Sequence, residues 1–130
     1  MSQYVDVEMP LISSFEAGVD LAAISGHNEL TVFETFLPDF VGHGRVEMEA
    51  GEVVRRLDGL LAGVVERRPE RVTVVMTSDH GNFEDQTDKR HTRNPVPLLV
   101  LGPAKAAFEG VESLADVAPA ILRVLDSELT

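Results

Sequence analysis

Asp79 and His80 stand side by side in Thr77-Ser78-Asp79-His80-Gly81-Asn82, and a second imidazole, His91, follows in His91-Thr92-Arg93-Asn94-Pro95-Val96-Pro97. Upstream, Asp39 and His43 occur within Pro38-Asp39-Phe40-Val41-Gly42-His43-Gly44. Three of the four histidines therefore fall in two loops, one around Asp39 and the other opening at Asp79 and reaching past His91. Carboxylate supplies charge and hardness, and neutral imidazole supplies a borderline nitrogen donor. Together they suit a divalent cation of the zinc or manganese type. A cation needs three or four such groups converging from different segments, and Asp39, His43, Asp79, His80 and His91 are the candidates. Each residue taken singly also has a plainer use. Either aspartate can cap a helix or turn, and any of the histidines can bond to backbone.

Other polar residues around these segments are more ambiguous. Arg45 and Arg93 flank the ligand segments and suit a phosphate through charge-assisted hydrogen bonds, or they are ordinary surface arginines. Asn82 and Glu84 are candidates for orienting ligands from behind, or for capping the loop. Ser78 is a poor nucleophile candidate, because in extended chain its side chain points away from that of Asp79. His27, in Ser25-Gly26-His27-Asn28, reads as a residue that satisfies a helix C-terminus.

These side chains must be positioned by regular elements. Ser13 with Glu16 is a capping-box pattern that opens a short helix ending near Gly26. The apolar run from Leu30 to Leu37 is expected to be a strand, with the residues 38–45 a loop after it. Val46, Val53, Val54, Leu57, Leu60, Leu61 and Val64 recur at helical spacing, which predicts a helix from Val46 to Arg68 stopped by Pro69. Val72 to Thr77 and Pro97 to Leu101 read as two more strands. A last amphipathic helix carries Leu114, Val117, Ile121, Leu122 and Leu125. Pro119 belongs in the first turns of a helix, so its start is expected nearer Asp116 than Ser113. This order implies an α/β domain with a mainly parallel sheet flanked by helices. Ligands at the carboxyl ends of strands fit such a sheet. The polar segment 81–96 is too long for a mere turn and is expected to be anchored mainly through its ligands.

The chain has 130 residues, 44% of them hydrophobic, enough for one packed domain. It has no cysteine, which excludes disulfides, thiolate ligands and a cysteine nucleophile and fits a cytoplasmic setting. Net charge is −11, so a nucleic-acid partner is disfavoured. No apolar run is long enough for a membrane span.

The three segments carrying Asp39-Phe40-Val41-Gly42-His43, Asp79-His80-Gly81-Asn82 and His91-Thr92-Arg93-Asn94-Pro95-Val96-Pro97 resemble the C-terminal metal-binding motifs of the alkaline phosphatase superfamily. Within it they are most similar to cofactor-independent phosphoglycerate mutase and its metalloenzyme relatives. The resemblance spans roughly residues 30 to 125 and implies a partial alkaline-phosphatase-like core. It implies two divalent metals, manganese or zinc. Asp39, His43 and His91 would hold one, and Asp79 and His80 would help to hold the other. It further implies in-line phosphoryl transfer on a small phosphorylated metabolite, as a mutase or a phosphatase. A sulfatase-like hydrolase is a lesser alternative.

That family also uses an aspartate near the N-terminus of the full enzyme and a serine or threonine nucleophile. Neither motif is found here, so the second metal site is incomplete and no catalytic nucleophile is identified. The expectation is the C-terminal portion of a larger domain, pairing with a missing N-terminal part or forming a homo-oligomer. The alternative is a non-catalytic metal-binding or self-assembling module derived from that superfamily.

Overall fold

A computed structural model describes residues 10–128 of the chain. Residues 1–9, in which no periodicity is read, lie outside them. Helix α1 (Ser14–Ser25) begins where the capping box predicts. The Glu16 amide donates to Ser13 Oγ at 3.2 Å, and the Ser13 amide donates to Glu16 Oε2 at 2.7 Å. The reciprocal bond holds the Glu16 carboxyl below its ordinary range, first through the Ser13 amide and then through the Ser13 hydroxyl. Ser13→Ala is expected to cost about 1 kcal/mol, read as a lowered urea midpoint with an unchanged slope.

The run Leu30–Phe36 forms no strand. Alternating apolar residues signal an extended chain meant for burial, but a strand also needs an edge to pair with. Among the described residues none lies alongside, and Val32 and Phe33 are exposed. The segment expected to be a loop instead coils into helix α2 (Leu37–Gly42). Pro38 sits in its first turn, where a missing N–H costs nothing, and Asp39 faces the positive end of the helix. Helix α3 (Ala50–Arg67) starts four residues later than the periodicity suggests and buries Val53, Gly63 and Val64. It packs against α1 at close range, because Gly18 faces Gly63 across the contact.

Strands β1 (Val74–Thr77) and β2 (Leu98–Leu101) form a two-stranded sheet, in which Val74 pairs with Leu101 and Thr77 with Leu98. The pairing is antiparallel, and no parallel pair is found among the described residues. A parallel partner requires a crossover that carries the chain back to the starting end. Residues 78–97 make none. They fold back on themselves, and the isolated Gly81–Thr92 bridge continues in the same antiparallel sense.

After β2 the chain turns through Gly102, whose φ of 139° only glycine adopts readily. A 3₁₀ turn (Lys105–Phe108) buries Phe108. Helix α4 (Leu114–Glu128) follows, and Pro119 is its sixth residue. The helix thus begins ahead of the start inferred from proline. Asp116 caps it by accepting from the Ser113 amide at 2.9 Å and the Ser113 hydroxyl at 2.8 Å. That local cap sets the start of the helix, and Pro119 within it removes one backbone bond.

The buried apolar core among the described residues is small: Ala22, Val41, Val53, Val64, Phe108 and Ala120. Leu99, Leu122, Ile24 and Phe36 are all more than half exposed. No helix among the described residues is long and apolar enough to cross a membrane.

Candidate metal centre

Helix α2 places Asp39 in its first turn and His43 at its C-cap. Four residues apart on a helix, the two side chains lie on one face, and His43 Nε2 comes to 3.1 Å from Asp39 Oδ1. The loop after β1 brings the other imidazoles to the same point. His91 Nε2 lies 3.0 Å from His43 Nε2 and 3.6 Å from Asp39 Oδ1. Three ligand atoms from two distant segments therefore form one small triangle. His80 stands against it. Its ring stacks on that of His91 with centroids 3.6 Å apart, and its Nε2 is 3.9 Å from Asp39 Oδ1.

The donor chemistry fits a cation. His43 Nδ1 lies 2.5 Å from the Lys89 carbonyl oxygen. That oxygen can only accept, so Nδ1 donates to it, and Nε2 is the ring nitrogen left facing Asp39 and His91. Asp39 Oδ1 is buried and has no hydrogen-bond donor among the described residues. A buried carboxylate oxygen without a donor is costly, and with two ring nitrogens beside it the point suits a positive charge. The spacing agrees. Two ligands about 2.1 Å from a common tetrahedral centre lie roughly 3.4 Å from each other, and the three observed separations bracket that value.

The remaining candidates sit outside the triangle. Asp79 is largely exposed, with Oδ2 3.5 Å from His80 Nε2. Together Asp79 and His80 edge a cleft of about 400 Å³ that runs between Arg93 and the first turn of α4 at Ser113 and Leu114. The guanidinium of Arg93 has no hydrogen bond or ion pair among the described residues, nor has that of Arg45. Ser78 Oγ donates to the His80 carbonyl at 2.8 Å, which occupies the hydroxyl within its own turn. His27 lies at the far end of α1, away from this centre, and its amide donates to the Ile24 carbonyl.

A family model of the Metalloenzyme superfamily matches residues 5–129. The chain belongs to the metalloenzyme superfamily. Similar proteins within the reach of sequence comparison are 2,3-bisphosphoglycerate-independent phosphoglycerate mutases. That of Paracoccus denitrificans is 31% identical over 95% of this chain and 24% of its own length. That of Thiobacillus denitrificans is 35% identical over 89% of this chain and 25% of its own. That of Desulforudis audaxviator is 43% identical over 68% of this chain and 19% of its own. The chain thus spans about a quarter of the length of these relatives. No solved structure matches. Membership of the metalloenzyme superfamily bears out the resemblance carried by the three motifs.

Two contributors to the site left little mark in the sequence. One is the Lys89 carbonyl, a backbone group that no side-chain pattern can reveal. The other is the set of bonds inside the 81–96 loop, which is laced internally rather than anchored mainly through ligands. Asp85 Oδ1 accepts from the Thr87 amide at 2.9 Å, and Asp88 pairs with the Arg90 guanidinium at 2.8 Å. The Glu84 carboxyl is pulled down to about 2, first by the Thr92 hydroxyl and then by the Asn94 amide. Its folded value lies below the ordinary 4.5, so its contribution is complete above that pH and is lost as pH falls toward about 2. A carbon-detected NMR titration is expected to place the Glu84 midpoint near the lower value. A midpoint at the ordinary one would mean that the loop bonds do not form in solution.

Proposed function

We propose that this chain is the metal-binding portion of a phosphoryl-transfer enzyme, a phosphoglycerate mutase or a phosphatase acting on a small phosphorylated metabolite. The observation that carries the reading is the triangle of Asp39 Oδ1, His43 Nε2 and His91 Nε2, within 3.6 Å of one another. These three side chains would hold one divalent cation, manganese or zinc. Asp79 and His80 would hold part of a second, whose other ligands and whose nucleophile come from sequence not contained in this chain. Bound there, divalent cations neutralise charge on the transferring phosphoryl group and lower the pKa of an attacking oxygen.

The chain's own residues do the rest. Lys89 holds the His43 ring through Nδ1. The stacked His80 and His91 rings fix each other's planes. Arg93 offers its guanidinium to a phosphate oxygen in the cleft beside Asp79, and Arg45 is the second candidate for that role. The corresponding architecture is a partial alkaline-phosphatase-like core. In it Leu30–Phe36 and the outer edge of β1 pair with strands of a missing N-terminal part, giving the mainly parallel sheet. The exposed apolar area at Val32, Phe33 and Leu99 supports this reading.

The same area equally favours a second reading, a non-catalytic module that covers itself by self-association through an open strand edge. Calorimetry with Mn²⁺ and Zn²⁺, phosphomonoester turnover, phosphoglycerate isomerisation and sedimentation velocity test both. The expected result is one tighter metal site, at most one weaker one, and no appreciable turnover by the chain alone, because a covalent step needs an activated nucleophile beside the metals. Turnover abolished by both His43→Ala and Asp79→Ala would overturn the assignment as a portion of an enzyme. An absence of metal binding would overturn the metal reading.

A further inference from the structure

The loop between β1 and β2 must hold two imidazoles in place, yet it has no helix and a single backbone bridge. The Thr92 amide donates to the Gly81 carbonyl at 2.8 Å. What closes the rest is one carboxylate. Glu84 Oε2 accepts from the Asn82 amide at 2.7 Å, while Oε1 accepts from Asn94 Nδ2 at 2.9 Å and from the Thr92 hydroxyl. Glu84 therefore joins the arm that leaves His80 to the arm that leaves His91. Asn82 makes the next connection. It is the one buried polar side chain among the described residues, and its Nδ2 donates to the Arg90 carbonyl at 3.1 Å, one residue before His91. Its amide also presses on Gly42, the last residue of α2 and the one before His43, where an added Cβ would overlap Asn82 Oδ1.

The three segments that bear Asp39 and His43, His80, and His91 thus meet at two residues. Neither residue offers an atom to the ligand triangle. Glu84 is not itself a free ligand, since both of its oxygens already accept from protein donors.

We propose that Glu84 and Asn82 are positioning residues. They lock the His80 and His91 arms to each other and to the end of α2, so that the ligand triangle exists before a cation arrives. This rests on the metal reading of Asp39, His43 and His91. A site assembled in advance spends less of its binding free energy on ordering its ligands.

The test uses the full chain, with Glu84→Ala and Glu84→Gln as variants and Mn²⁺ as the probe. Calorimetry should show Glu84→Ala weakening Mn²⁺ affinity about 10- to 100-fold, the usual effect of removing a group that orients ligands. Glu84→Gln should recover most of that loss, because its amide oxygen still accepts from Thr92 or Asn94. Without metal, hydrogen exchange of the Asn82 and Thr92 amides should speed up in Glu84→Ala, while the amides of α1 and α3 keep their protection. An unchanged affinity in Glu84→Ala overturns the proposal. So does a loss of protection that spreads to α1 and α3, which would mark Glu84 as a general stabiliser. A parent chain that binds no Mn²⁺ overturns the metal reading itself, an outcome separate from a parent that binds and a Glu84→Ala variant that binds equally well.

Discussion

Replacing His43 by alanine is expected to erase the thermal stabilisation that Mn²⁺ gives the chain. His43 contributes more than one of three ligand atoms. Its Nδ1 bond to the Lys89 carbonyl ties α2 to the peptide two residues before His91, and its Nε2 is the atom nearest both Asp39 Oδ1 and His91 Nε2. Without it two ligand atoms remain, fewer than the three or four protein ligands such a site needs. A metal present at 100 times its dissociation constant stabilises the folded state by about 2.7 kcal/mol. For a chain of this size that is a rise of roughly 10 °C in Tm. The parent should show it and His43→Ala should not. His27→Ala, which changes a histidine outside the site, should keep the whole shift. Differential scanning calorimetry with and without Mn²⁺ decides it. Equal shifts in the parent and His43→Ala would remove His43 from the site.

The second large effect lies far from the metal. Gly63→Ala is expected to destabilise the chain by about 3 kcal/mol, whereas Gly51→Ala on the same helix should stabilise it by up to about 1 kcal/mol. A Cβ at Gly63 would run into the backbone of α1, at the Phe15 carbonyl and 2.9 Å from the Val19 amide. Backbone cannot swing aside as a side chain can, so the two helices would have to separate. At Gly51 the nearest atom to an added Cβ is Arg55 Nη1 at 3.5 Å. That is an ordinary contact, so only the gain in helix propensity remains. Urea unfolding of both variants gives the comparison. Destabilisation of similar size at both positions would show that α1 and α3 do not pack as described.

The candidate donors were legible because they depend on residue type. Asp39, His43 and His91 stand out as donors, and their convergence follows from a family resemblance quoted residue by residue. Local signals were legible for the same reason. Ser13 and Glu16 announce the start of α1, and the apolar spacing of α3 announces its buried face. The errors arose where the outcome depends on what lies alongside. Leu30–Phe36 has the composition of a strand, yet pairing is a property of two segments, and its own side chains cannot supply the second. The sense of the β1–β2 pairing depended on whether residues 78–97 cross over or fold back. Glu84, Thr92 and Asn94 decide that through hydrogen bonds that leave no periodic trace.

The triangle also has a consequence for the chain as a polymer. A cation shared by Asp39 and His91 is a cross-link, and the loop it closes contains all of α3 and β1. Bound only by the folded chain, it makes every opening that parts Asp39 from His91 rarer, including openings of helices that never touch it. Chelation should accordingly raise hydrogen exchange in α3, whose Val53 and Val64 lie in the small core, as well as in the loop that carries the histidines. A centre read as a device for handling phosphate would also serve as the clasp that makes distant parts of this chain unfold together.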